Sequence, residues 1–319
     1  MPSPDRAPPK LKALGFFWDE EQSPGEFPEP AFVALSWGTS ALLAEADALH
    51  PAPEDTERGY SFKGKPGRLQ WLSTDLKALQ GLKAVLFDLD DTLVQTTYFN
   101  DKSLDAAMKV LEDRGVALPQ SKEETRAGLL TIKIKAGIEF RKAFPELEKL
   151  LGTTDKNVLV ELTLAYDGAE NENMRLFPGV SDLLRFLVGS GVDIGVITSG
   201  DTYRQRNKLI RTGMQDIFDV VLISEEVGME KPDPRIYDAA LQLLGLQPEE
   251  CAFVGDKLDT DILGANRSGL VSMRVRQGRN AVTEPKSDEE KPDFDFPDMR
   301  RLFEIFTIAL STRSTPDIM

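Results

Sequence analysis

The sequence predicts an α/β protein: a doubly wound, Rossmann-like parallel sheet, with an all-helical segment inserted after the first core strand and an irregular N-terminal extension. Three observations predict it. Four runs of strand length, "KAVLFD" (83–88), "VDIGVITS" (192–199), "DVVLIS" (219–224) and "CAFVGD" (251–256), are apolar without alternation, as in strands buried on both faces. Helical segments separate the later runs, and alternating strands and helices build parallel crossovers. Between the first run and the second lie nearly a hundred residues, far more than one crossover needs.

Residues 1–80 precede this pattern. Prolines break them repeatedly (Pro24, Pro28, Pro30, Pro51, Pro53, Pro66), and aromatics such as Phe16, Trp18, Trp37 and Trp71 are scattered between. "TSALLAEADAL" reads as a short helix capped by Thr39 or Ser40. The segment is expected to pack partly on the main body, with its first dozen residues mobile.

The core is expected over 81–96 and 177–285. In the intervening 97–176, "DKSLDAAMKVLEDRG", "KEETRAGLLTIKIKAGIEFRKAF", "PELEKLLG" and "KNVLVELTLAYDGAENENMRLF" each read as a helix. Such an insertion follows a strand's carboxyl end, where a lid has to sit. Back in the core, "VSDLLRFLVGSG" sets Leu183, Leu184 and Leu187 on one face and stops at glycines. "DTYRQRNKLIRTGM" starts acidic and turns basic, in line with the helix dipole. "DPRIYDAALQLLGL" opens with proline and closes at Gly245. Residues 286–319 read as a charged linker and a terminal helix.

Composition removes several function classes. The 319 residues carry 53 acids against 38 bases, a net charge of −15 that would repel a nucleic acid. No apolar stretch approaches the roughly 18 residues of a membrane span, and the proline-rich start lacks a secretory core. A cytoplasmic protein is expected. Cys251 is alone, which excludes a disulfide framework, and it reads as a small buried hydrophobe. His50 is the one histidine, placed at an exposed helix end, so a multi-histidine zinc site is excluded.

Chemistry concentrates at the strand ends. Asp88 follows the first strand, and Asp90, two residues on, points the same way if the chain stays extended. Asp256 follows the fourth strand, with Asp261 five residues later. Four neighbouring carboxylates are unfavourable without a cation, and hard oxygen donors without histidine or thiol point to Mg²⁺. Thr198 ends the second strand with a hydroxyl. Ser199 and Gly200 then offer backbone N–H groups at a helix start, a cradle for phosphate. Lys231, beside Pro232, adds a cation on a restricted loop. A carboxylate nucleophile beside a second carboxylate in such a site suggests an aspartyl-phosphate.

In order and spacing, "DLDDTL", "ITSG", Lys231-Pro232 and "GDKLDTD" resemble the four motifs of the haloacid dehalogenase superfamily, over about residues 82–280. The resemblance implies that Asp88 attacks phosphorus, while Asp90 protonates the leaving oxygen and then activates water. It implies that Thr198 and Lys231 hold the phosphoryl oxygens. Asp88, the backbone carbonyl of Asp90 and Asp256 would bind Mg²⁺, with Asp261 as support or a water-mediated ligand. The helical insertion resembles the family's C1-type cap. Downstream of Ser190, the chain is similar to the branch holding pyrimidine nucleotidases, acylneuraminate-phosphate phosphatases and archaeal sugar-phosphate phosphatases. The implied substrate is a small phosphorylated metabolite of the nucleotide or sugar phosphate class. Dehalogenases of the superfamily lack an acid at the position of Asp90, so its presence favours phosphoryl transfer. A 2-haloacid dehalogenase, a phosphomutase and a retired interaction protein binding through residues 1–80 remain the alternatives. The oligomeric state is not legible.

Other charged residues have plainer readings. Asp91 takes a turn position, and Asp259 faces solvent. Arg204, Arg206 and Lys208 form a solvated helix face. Lys133, Lys135 and Arg141 lie on the surface of the insertion, and a Schiff-base lysine of the kind phosphonate hydrolysis requires is not indicated by their presence.

Overall fold

The computed structural model describes residues 78–136, 140 and 142–311. Nearly all of the 1–80 extension lies outside the described residues, including "TSALLAEADAL" and His50, as does Arg141. From Leu79 onward the chain is part of the core: Leu79 and Leu82 are fully buried against the first strand's layer.

Six parallel strands form one sheet in the order β3-β2-β1-β4-β5-β6. They are β1 (Ala84–Phe87), β2 (Asp193–Thr198), β3 (Val220–Ile223), β4 (Cys251–Gly255), β5 (Val271–Val275) and β6 (Phe294–Phe296). Strand order reverses at β1, which lies between β2 and β4, and open α/β sheets bind ligands beyond the strands' carboxyl ends at such a reversal. Register makes Phe87, the last residue of β1, level with Val196 and Val254. The loops carrying Asp88, Thr198 and Asp256 are therefore neighbours.

The unbroken apolarity of β1 has its cause in the layers. Val85 and Phe87 face one helical layer, made by α5 (Val180–Gly189), α6 (Thr202–Arg211) and α10 (Met299–Ser311). Ala84 and Leu86 face the other, made mainly by α8 (Pro234–Leu244) and α9 (Leu263–Arg267). A short α7 (Ser224–Val227) follows β3. Cys251 is buried in the second layer, as expected of a small hydrophobe.

The described residues of the insertion form the α-helices α1 (Thr96–Asp113), α2 (Lys122–Ala136), α3 (Phe144–Leu151) and α4 (Lys156–Asn173). It has its own core, in which Leu104, Met108, Leu129, Leu147, Leu159 and Tyr166 meet. The long run "KEETRAGLLTIKIKAGIEFRKAF" is not helical to its end: α2 is described over Lys122–Ala136, and Ala143, the residue before α3, is not helical. The two chain crossings between insertion and sheet pair with each other: Gln95 N–H donates to Arg175 O (3.0 Å) and Phe177 N–H to Leu93 O (2.9 Å). The cap thus stands on a short two-stranded ribbon.

The core does not end at 285. Residues 294–296, read as linker, form β6, and α10 packs its apolar face into the first layer. Charge concealed both β5 and β6. Arg274 stands inside β5 yet is fully buried, and Asp295 in β6 accepts a two-pronged pair from Arg276 (3.0 and 2.7 Å). Arg274 lies 3.8 Å from the same carboxylate and donates to two backbone carbonyls, and with this compensation the charges can occupy strands that composition marks as polar.

Gly195 in β2 is a close-approach position. A Cβ there would lie 2.4 Å from Val220 Cγ1 and 2.6 Å from Leu86 Cδ2. Overpacking of this kind costs about 1–3 kcal/mol, so Gly195→Ala is expected to lower the urea midpoint without changing the denaturant slope.

Candidate active site

The loop after β1 is shaped by its own backbone. Asp88 N–H donates to Val254 O (2.9 Å), carrying the β1–β4 ladder one residue past the strand, and Asp88 is 3% exposed. Leu93 and Val94 N–H groups both donate back to Leu89 O, closing a tight turn. The turn requires a positive φ at Asp91 (59°), a region open to Asp when its short side chain bonds locally. Asp91 does so by accepting from Thr97 N–H (2.8 Å) and Thr97 Oγ1 (2.6 Å), which agrees with a turn role. Asp259 is exposed, also as read.

Three carboxylates gather beneath this turn. Asp88, Asp256 and Asp261 are all buried and offer oxygens within 4.8 Å of one another. A π-helical turn over Leu258–Ile262 returns Asp261 to the sheet edge. Tyr237 OH fixes that turn by donating to Thr260 O (3.1 Å) and Asp261 O (3.3 Å). Gly255 is required here, because a Cβ would lie 2.4 Å from the Asp261 side chain. Lys231 lies between two of the acids, 2.5 Å from Asp88 Oδ1 and 2.7 Å from Asp261 Oδ1. Its peptide bond to Pro232 is cis.

Burial governs the electrostatics. It pushes Asp88 up to about 6, with Lys231 pulling the other way. Burial, then the Asp261 and Asp88 carboxylates, pushes Asp256 up to about 8. Burial draws Lys231 down, but Asp261 and Asp88 outweigh it and hold the ammonium above the ordinary lysine range.

The cluster suits a hard divalent cation. Asp88 Oδ2 is buried without a hydrogen-bond partner, and the available donors are carboxylate oxygens. Asp261 has both oxygens engaged, by Lys231 and by Lys257 N–H (3.1 Å), so its geometry is that of a brace for Lys231. The Asp90 carboxylate does not join the cluster, which leaves its backbone carbonyl as the atom the resemblance implies. The extended-chain argument for Asp90 fails because the turn redirects its side chain toward α6.

Thr198 is fully buried at the end of β2, one strand over from Asp88. The expected N–H cradle is partly closed. Gly200 N–H donates to Ser224 Oγ (2.9 Å), Thr202 N–H to Glu225 Oε2 (2.8 Å), and Asp201 caps α6 through Arg204 N–H (2.9 Å). Ser224, at the β3–α7 junction, thus satisfies the Gly200 donor that the sequence assigned to phosphate, and Glu225 and Asp201 satisfy the donors that follow it.

Several polar residues acquire partners that the sequence did not reveal. Lys208, assigned to a solvated face, is 4% exposed and its ammonium pairs with Asp90. Gln205, one turn earlier, is 2% exposed and also donates to Asp90 (2.8 Å). Both share the inward face of Leu209 and Thr212, an i, i+3, i+4, i+7 spacing that could have placed them. Burial pushes the Asp90 carboxyl up, but Lys208, with hydrogen bonds from Thr96 and Gln205, outweighs it and holds the group below the usual carboxylate range. Arg206 does lie on the solvated face, paired with Glu226. Asn280 Nδ2 donates to Asp256 Oδ2 (2.6 Å), and buried Arg274 holds that loop through Asn280 O (2.8 Å) and Thr283 O (2.7 Å). In the cap, Lys133 is buried, not on the surface. It pairs with Asp167 (2.6 Å) and Glu170 (3.0 Å) and lies over the Phe140 and Tyr166 rings, a structural role in the cap core.

Comparisons with known proteins bear on this site. A family model described as haloacid dehalogenase-like hydrolase matches residues 82–269. A glyceraldehyde 3-phosphate phosphatase of Methanopyrus kandleri is 36% identical over 225 residues, covering 70% of this chain and 97% of that protein. A phosphoserine phosphatase of Thermus thermophilus is 30% identical, covering 70% and 98%. Among solved structures, a putative beta-phosphoglucomutase from Thermotoga maritima superposes with a TM-score of 0.52 at 21% identity, covering 71% of this chain and 99% of that one, a likeness of fold.

Two outcomes follow from the geometry. Folding without metal raises the Asp88 and Asp256 pKa values, so the native state holds protons that the unfolded chain has lost. Stability then falls as pH rises from about 4 toward about 8. The melting temperature of EDTA-treated protein should drop across pH 5–8, and added divalent metal should raise it most at the alkaline end, where it no longer competes with protons. Asn280→Ala should weaken metal affinity by about 10–100-fold, read by metal titration of the melting temperature.

Proposed function

Because this chain belongs to the haloacid dehalogenase-like hydrolases, we propose that it hydrolyses a small phosphomonoester through an aspartyl-phosphate formed on Asp88. Its relatives matched over nearly their whole lengths are phosphatases, and the chain is a phosphoric monoester hydrolase. The observation that carries the mechanism is Asp88 itself. One of its oxygens is held by Lys231 and the other is buried without a partner, with a second carboxylate two residues along the chain.

Asp88 attacks phosphorus as the ester P–O bond breaks, and the leaving oxygen takes a proton from Asp90, which must first take up that proton against the pull of Lys208, since Lys208 holds the group ionised in the free site. The Asp90 carboxylate then takes a proton from water as that water attacks phosphorus. This step breaks the Asp88–phosphorus bond and releases inorganic phosphate. Lys231 favours the ionised nucleophile and, with the Thr198 hydroxyl and the backbone at Ser199 and Gly200, faces the phosphoryl oxygens. The Gly200 amide must exchange Ser224 for phosphate to do so. Mg²⁺, held by Asp88, the Asp90 backbone carbonyl and Asp256 with Asp261 alongside, would neutralise charge on the transferred group.

The substrate class proposed is a phosphorylated metabolite such as a sugar phosphate or nucleotide, bound between sheet and cap, and the enzyme is placed in the cytoplasm with such metabolites. Among the described residues no helix is long and apolar enough to cross a membrane. Asp90 weighs against a 2-haloacid dehalogenase, which needs no such acid. Any partner-binding role of residues 1–80 lies outside the described residues.

Asp88→Asn is expected to abolish phosphate release from 4-nitrophenyl phosphate, and Asp90→Asn to lower kcat about 10²–10⁴-fold. EDTA should stop turnover and Mg²⁺ restore it. Undiminished turnover by Asp88→Asn would overturn the mechanism, as would metal-independent chloride release from a 2-haloacid. A phosphate-release screen over sugar phosphates, nucleotides and phosphoamino acids then identifies the substrate.

A further inference from the structure

The buried polar pair on α6 has no part in holding phosphate, yet it is built with care. Lys208 and Gln205 are 4% and 2% exposed, one helical turn apart, and both reach Asp90. An ammonium so buried is costly unless paired, and the carboxylate paired with it is Asp90's. Gln205 Oε1 accepts from Lys208 Nζ (2.7 Å), which fixes the amide's orientation and turns its NH₂ toward the site. That NH₂ reaches three acceptors: Asp90 Oδ2 (2.8 Å), Thr198 Oγ1 (2.8 Å) and Ser199 O (2.7 Å). Thr96, in the first turn of the cap, closes the set by donating to Asp90 Oδ1 (2.5 Å).

We propose that Gln205 and Lys208 are positioning residues that aim the Asp90 carboxyl and tie it to the phosphate-facing Thr198, so that acid/base and phosphoryl group keep one register. The inference rests on the phosphatase reading above. It follows from the redirected side chain. Asp90 is on a turn with positive φ at the next residue, and its backbone alone does not aim the carboxyl at a leaving oxygen. Donors from α6 and α1 converge on it instead, covering both oxygens. The touching groups are Asp90 and Thr198; Gln205 and Lys208 act through them.

A residue that aims a general acid matters in proportion to how much the leaving group needs a proton. The measurement is kcat/KM, which reports phosphoryl transfer to Asp88, for an alkyl phosphate and for 2,4-dinitrophenyl phosphate, whose phenolate leaves unprotonated. For Lys208→Met, kcat/KM on the alkyl ester should fall by about 10²-fold, while the dinitrophenyl ester changes by less than about threefold. Mg²⁺ affinity should stay within about threefold of wild type. Lys208→Arg, which keeps a charged donor, should recover part of the alkyl activity. If Lys208→Met does not fold, Gln205→Met leaves the charge pair in place and should give the same split, smaller in size. Equal losses on both esters would mean general damage to the site and overturn the proposal. So would unchanged kinetics on both. Wild-type protein that turns over neither ester, with Asp88→Asn identical to it, would instead sink the phosphatase reading. The split between esters is therefore read only after wild-type activity is in hand.

Discussion

Three buried carboxylates within 4.8 Å of one another are the constraint around which this molecule is arranged. At an effective dielectric of about 20, each pair of unit charges at that distance repels by roughly 3–4 kcal/mol. Three such repulsions rival the roughly 5–15 kcal/mol of net stability that a domain has to spend. The fold meets this in two visible ways. Lys231 is buried between Asp88 and Asp261, and burial with the Asp261 and Asp88 carboxylates pushes Asp256 up to about 8, which favours its neutral form. A divalent cation would be a third way, and the unpartnered Asp88 Oδ2 is an oxygen open to it.

The rest of the core serves that arrangement. Placing β1 between β2 and β4 makes three loop ends neighbours without long-range adjustment. Gly255 lets Asp261 close on the sheet edge, Tyr237 pins the π-helical turn behind it, and Arg274 and Asn280 steady Asp256 from the far side. The ribbon formed by Leu93–Gln95 and Arg175–Phe177 begins a few residues after Asp88 and Asp90. The cap's footing and the reacting groups are thus a continuous piece of chain, with Thr96 in the cap's first turn bonded to Asp90.

The sequence and the structure part company where polar residues are buried. Runs such as "KAVLFD" announce strands because both faces are apolar. Arg274 and Asp295 conceal β5 and β6 because what makes their burial tolerable, Arg276 for Asp295 and the Asn280 and Thr283 carbonyls for Arg274, is displayed by no local pattern. Lys208 and Lys133 look like surface residues for the same reason: a helical lysine is ordinarily solvated, and only the opposing acids, Asp90 in one case and Asp167 with Glu170 in the other, make burial tolerable. At Gly200 the error runs the other way, since the amide that looked free is satisfied by a serine from the next strand's end.

Sequence alone determined the parallel sheet and the helical insertion after β1, because these depend on local periodicity, and it nominated Asp88, Thr198, Lys231, Asp256 and Asp261 from residue types at strand ends and in the loops beyond them. Tertiary structure decided where each side chain points and what neutralises it. It turned the Asp90 carboxylate away from the acid cluster toward α6, gave Asp261 to Lys231, and extended the sheet to β6. Pairing between charges is set by distances across the fold, 143 residues apart along the chain in the case of Lys231 and Asp88, and such pairs leave no periodic trace in the chain.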